Sequence, residues 1–132
     1  MQKPREILKE VFGYDDFRTG QLDIIEKVLA HKHALAIMPT GGGKSITYQL
    51  PAVMFEGITL VVSPLISLMK DQVDGLNAMG IDATFLNSTL TGQEQAQRMS
   101  DIRAGFYKML YVSPERLSLI HIWRCRRYSL CR

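Results

Sequence analysis

Short β-rich runs alternate with amphipathic helical segments along this chain, and that alternation narrows the architectures open to it. The apolar or β-branched runs Ala34 to Met38, Ile58 to Ser63, Ala83 to Leu86 and Tyr107 to Ser113 read as strands, three of them closed by Pro39, Pro64 and Pro114. Between and before them, residues 4–12, 20–31, 44–55, 65–79 and 92–104 carry apolar side chains at helical spacing, with Gly13, Gly80 and Gly105 placed as stops. The stripe over 65–79 is Leu65, Leu68, Met69, Val73, Leu76 and Met79. Pro51 lies too deep in its segment to be a first-turn proline, which predicts a kink or a break there. Strands alternating with helices predict βαβ units and one mainly parallel sheet in a single α/β domain. Neither an internal repeat nor a low-complexity linker interrupts the pattern.

The chemistry sits at the first strand-to-helix junction, Met38-Pro39-Thr40-Gly41-Gly42-Gly43-Lys44-Ser45. Three consecutive glycines allow a tight turn that points successive N–H groups inward, and the following helix start adds a favourable dipole. Such a loop suits a phosphate. Lys44 has the reach for β- and γ-phosphates, and the Ser45 hydroxyl can ligate Mg²⁺. The strict GxxxxGK(S/T) spacing fails at its first position, where Met38 stands. The plainer alternative is a glycine-rich turn with an exposed lysine.

Charge decides less than it first suggests. The formal net charge of +3 and pI near 9.0 invite a nucleic-acid reading. Residues 1–117 hold 12 basic and 13 acidic side chains, however, and the whole positive balance comes from four arginines after Leu117. Both cysteines, Cys125 and Cys131, and the single Trp123 lie in the same tail. A cysteine-free body suits a reducing, cytoplasmic setting. No apolar run reaches the roughly 18 residues of a membrane span, and the chain opens on no signal peptide.

Four further segments flank the loop: FGYDDFRTGQ at 12–21, SPLISLMKDQV at 63–73, LNST at 86–89 and YVSPERL at 111–117. With MPTGGGKS at 38–45 they resemble, in order and spacing across residues 5–117, the start of a RecQ-family DNA helicase of superfamily 2. A superfamily 2 loop does not require glycine first, which accommodates Met38. The resemblance implies a P-loop NTPase fold, a RecA-like parallel sheet flanked by helices and incomplete in this chain. It implies ATP and Mg²⁺ as cofactors, held by Pro39, Thr40, Gly41, Gly42, Gly43, Lys44 and Ser45. It makes residues 12–21 an adenine-recognition segment in which Tyr14 stacks on the base, Gln21 bonds its edge and Arg18 helps fix the pocket. An amide can donate to and accept from adenine; the plainer alternatives are core packing for Tyr14 and Phe17 and a solvated helix face for Gln21.

The same resemblance makes Ser63, Pro64, Leu65, Ile66 and Ser67 a contact to the backbone of single-stranded DNA, with Asn87 and Ser88 a second and residues 113–116 a third. The alternative for each is an ordinary helix cap. Implied partners are single-stranded and duplex DNA, and the implied activity is ATP-dependent 3′→5′ unwinding in DNA repair and recombination. In a bacterium the cytoplasm would place it at the nucleoid. The family pattern ends at Leu117, short of the acidic Walker B motif, and no Asp or Glu follows Glu115. The second RecA-like domain and its arginine finger are also outside the chain. The tail 118–132 resembles no family motif and reads as adventitious. Its rivals are a basic nucleic-acid arm using Trp123 and Tyr128, and a weak metal site of His121, Cys125 and Cys131. Expected of the 132 residues themselves is a nucleotide- or DNA-binding module without catalysis, or a truncated product.

Overall fold

The computed structural model describes residues 3–39 and 43–117, so Thr40, Gly41, Gly42 and the whole tail 118–132 lie outside the described residues. The chain divides into two compact units, Met1–Gly57 and Ile58–Arg132.

The first unit is helical among its described residues. Helix α1, Pro4–Ile7, runs into a π-helical turn over Leu8–Phe12 and stops at Gly13, whose φ of 77° is left-handed as that stop requires. Helix α2 covers Gln21–Leu29 and α3 covers Ile46–Met54. Their apolar faces meet in one core of Ile7, Leu8, Ile25, Ile46 and Leu50, bordered by Val11, Phe12, Phe17 and Leu29. Helix α3 continues through Pro51 without a break, and the Phe55 N–H closes on the Pro51 carbonyl at 2.9 Å. Proline removes one ladder donor there, while burial of Leu50, Pro51 and Ala52 holds the turn in place.

One expected strand is absent. Residues 34–38 adopt no regular structure, and Leu35 and Ile37 are 91% and 90% exposed. A strand exists only through the neighbour it pairs with, and the described residues of the first unit offer no other extended segment.

The second unit carries the sheet. Strands β1 (Thr59–Val62), β2 (Ala83–Leu86) and β3 (Met109–Val112) are all parallel in the order β1-β3-β2, in register Val62–Val112–Leu86 at their carboxyl ends. Helices α4 (Ile66–Ala78) and α5 (Gly92–Arg103) supply the crossovers. Every residue of the central β3 is buried. Leu86, Leu110 and Val112 pack with Ile102 of α5, with Ile58, Leu60 and Met99 around them. Helix α4 packs on β2 through its buried Met69, Val73 and Leu76. Leu65, Leu68 and Met79 of the expected stripe stand 56%, 45% and 39% exposed instead. Helix α5 begins with a reciprocal cap: Thr91 Oγ1 accepts from the Glu94 N–H and Glu94 Oε1 accepts from the Thr91 N–H, both at 3.1 Å. That bonding holds the Glu94 carboxyl below its ordinary range.

The two sheet edges differ. On β2 the outward Ala83 N–H donates to Asn77 Oδ1 at 3.0 Å. The outward Phe85 carbonyl accepts from Arg98 Nη1 at 2.8 Å, while the guanidinium lies 4.4 Å from the Phe85 ring centre. On β1 the edge residue Val62 is half exposed.

Candidate nucleotide site and the carboxyl edge of the sheet

In the first unit the structure brings the 14–21 segment onto the end of the glycine loop. The Gln21 side chain, only 4% exposed, does this with both ends of its amide. Its Oε1 accepts from the Arg18 N–H at 2.8 Å, and its Nε2 donates to the Gly43 carbonyl at 2.8 Å. Gly43 has φ 79°, and a Cβ built there would stand 2.3 Å from Gln21 Nε2 and 3.5 Å from Arg18 Cδ. Both the conformation and the close approach reserve this position for glycine. Gln21 is therefore neither solvated nor a passive helix residue.

Lys44 and Ser45 form the turn that leads into α3, whose first N–H groups bond back to it: Thr47 N–H to the Lys44 carbonyl at 3.1 Å and Gln49 N–H to the Ser45 carbonyl at 2.9 Å. The Lys44 side chain is exposed, and the Ser45 hydroxyl makes no capping bond to α3. An exposed ammonium, an uncommitted hydroxyl and a helix start beside a glycine-only backbone are a donor set that fits a polyphosphate with Mg²⁺.

The Tyr14 ring is 55% exposed, and Phe17 packs against the helical core. The two aromatics thus divide: Phe17 is structural and Tyr14 offers a face. The turn carrying them is tied down by Arg5, which ion-pairs with Asp16 and lies 5.7 Å over the Phe17 ring. The Phe17 N–H donates to Asp16 Oδ1 at 2.8 Å. That bond first, and Arg5 second, hold the Asp16 carboxyl below its ordinary range. Arg5 and Asp16 carry no motif signature, so sequence reasoning passes over them.

In the second unit the residue after each strand is polar: Ser63, Asn87 and Ser113. The Ser63 N–H donates to the Val112 carbonyl at 3.0 Å and the Ser113 N–H to the Leu86 carbonyl at 3.2 Å, so the three form one row across the carboxyl ends of the sheet. This is where parallel sheets receive ligands. Ser63 Oγ accepts from the Leu65 N–H at 3.1 Å, and Pro64, Leu65 and Ser67 are exposed beside a half-buried Ile66. Asn87 is 1% exposed, its Oδ1 taken by the Thr89 N–H at 2.9 Å and its Nδ2 3.5 Å from Met69 Sδ. The Asn87 side chain is thus committed inside the unit, and Ser88 and Thr89 are the exposed groups of that turn. Ser113 is fully buried, and its hydroxyl has no partner among the described residues.

A glycine loop at a helix start, a base-facing segment held against it and a parallel sheet with a polar carboxyl edge define a helicase-type ATPase domain. The DEAD/DEAH box helicase family matches residues 18–131, and the chain belongs to it. Within that family it is of the RecQ type. It is 50% identical over 125 residues to the ATP-dependent DNA helicase RecQ of Bacillus subtilis, covering 94% of this chain and 21% of that protein. It is 54% identical over 116 residues to the Pasteurella multocida ATP-dependent DNA helicase RecQ, covering 88% of this chain and 18% of that one. Similarity extends to ATP-dependent DNA helicase Q5 of Rattus norvegicus, at 46% over 118 residues, 86% of this chain and 12% of the relative. The chain spans about a fifth of the length of the bacterial relatives it matches. Among the described residues no helix is long and apolar enough to cross a membrane, and no cluster of His, Cys, Asp and Glu could hold a metal.

Proposed function

We infer that this chain is the nucleotide-binding part of a RecQ-type, ATP-dependent 3′→5′ DNA helicase that acts in DNA repair and recombination in the cytoplasm, at the nucleoid in a bacterium. One observation carries the reading: the Gln21 amide ties the 14–21 segment to Gly43, so base-reading and phosphate-holding residues share one site. Lys44 and the backbone of residues 39–45 hold the phosphates and Ser45 a Mg²⁺. Tyr14 stacks on adenine, Gln21 and Arg18 fix its edge, and the bound nucleotide supplies the free energy for movement on DNA. Ser63 to Ser67, with Ser88 beside the committed Asn87, meet the phosphate backbone of single-stranded DNA, and duplex DNA is the substrate unwound. Titration with ATP, GTP and Lys44→Ala tests this. Lys44→Ala weakens both nucleotides together, and equal affinity for ATP and GTP in the unsubstituted chain refutes the adenine pocket.

A second reading rests on a separate observation, that no carboxylate follows Glu115. Residues 1–117 supply the site and 118–132 are adventitious, so the 132 residues bind nucleotide and DNA without turning nucleotide over.

A further inference from the structure

We propose that Gln21 is a positioning residue of the phosphate loop, holding it in its binding conformation whether or not a base is present. The proposal rests on the nucleotide-binding reading above and adds a second duty to a residue that reading uses only for adenine. Three features carry it. Gln21 is buried, and a buried amide is held where its partners are. Its Nε2 reaches 22 residues along the chain to the carbonyl of Gly43, the residue next to Lys44. Gly43 sits at φ 79° with no room for a Cβ against that same nitrogen, so the loop backbone and the amide fix each other. The other end of the amide is anchored on the Arg18 N–H at the start of α2, which keeps the group from swinging away.

The stoichiometry of the amide makes both duties compatible. Gln offers two N–H donors and two acceptor lone pairs. One donor goes to Gly43 and one lone pair to Arg18. One donor and one lone pair remain, the pair an adenine edge needs. Loss of the Gly43 bond should therefore cost affinity for any polyphosphate, while loss of the remaining pair should cost only the preference for adenine.

The full 132-residue chain is titrated with inorganic tripolyphosphate, which has no base, and with ATP, and its unliganded amide hydrogen exchange is followed over residues 43–47 and over α2. The variants are Gln21→Glu, which can still accept from Arg18 but cannot donate to Gly43, and Gln21→Met, which keeps the length and loses both bonds. The expected result is a tripolyphosphate affinity lowered by about fivefold in each, the factor one net hydrogen bond carries. Exchange over 43–47 quickens while α2 stays protected. Tripolyphosphate affinity unchanged in both variants overturns the proposal, as does unchanged exchange over 43–47. Loss of protection throughout α2 in both variants makes Gln21 a packing residue and overturns it too. If the unsubstituted chain binds no polyphosphate yet exchange over 43–47 still quickens in the variants, the positioning role stands and the nucleotide-binding reading falls.

Discussion

At the scale of single residues, two glycines with nearly the same backbone make a controlled comparison. Gly43 at φ 79° faces Gln21 Nε2 at 2.3 Å, whereas Gly57 at φ 83° has nothing within 4 Å of a built Cβ. Gly57→Ala should lose only the left-handed backbone term, about 1–2 kcal/mol. Gly43→Ala should lose that and displace the Gln21 amide as well, so its melting temperature should fall further; equal losses would mean the close approach relaxes at no cost. Acid reports on Asp16. Its folded value is depressed, so its stabilisation is complete above the ordinary carboxylate range and fades as pH falls through the lowered value. The difference in melting temperature between the unsubstituted chain and Asp16→Asn should be largest near neutrality, vanish in strong acid, and stay small because both partners are exposed. These contacts also show what the sequence could and could not disclose. Lys44 and Ser45 were legible because a glycine run before Lys-Ser has one common use. The burial of Gln21 was not, because its partner lies 22 residues away and periodicity records only which face a residue occupies. Asn87 was read as a DNA contact for the same reason: its turn is visible in the sequence, but the Met69 sulfur behind it is not.

At the scale of elements, β2 was legible to its end residues, since Ala83–Leu86 is a compact apolar run between helices with clear stops. The run 34–38 looked equally good by composition and forms no strand, because composition cannot supply a neighbour. Pro51 was read as a breaker, yet the helix passes through it where buried neighbours outweigh one missing donor. The sealed edge of β2 has a consequence that can be measured. Asn77 and Arg98 cover an outward donor and an outward acceptor that another strand would otherwise meet. Asn77→Ala and Arg98→Ala should each cost about 1 kcal/mol of stability. The double variant should also associate at lower protein concentration by light scattering, and an unchanged scattering profile would show that β2 is protected by other means.

At the scale of the whole chain, the expected behaviour is binding without turnover. Purified protein should show negligible ATP hydrolysis with or without single-stranded DNA, beside a Lys44→Ala control. Robust turnover that this control abolishes would make a carboxylate such as Glu115 the missing acidic group. Removing residues 118–132 takes away four arginines and no acid. The slope of log affinity for single-stranded DNA against log salt should then flatten by up to about 3, since each phosphate contact contributes roughly 0.7; a slope that stays steep would assign the electrostatics to residues 1–117. The strand order holds one more consequence, and it concerns time. β3 lies in the middle of the sheet but comes last in sequence, so β1 and β2 touch only through a strand made after both. During synthesis neither early strand has a partner, and the second unit remains two loose strands and their helices until Met109–Val112 is delivered. Its sheet is assembled in a single late event, by insertion rather than by addition at an edge.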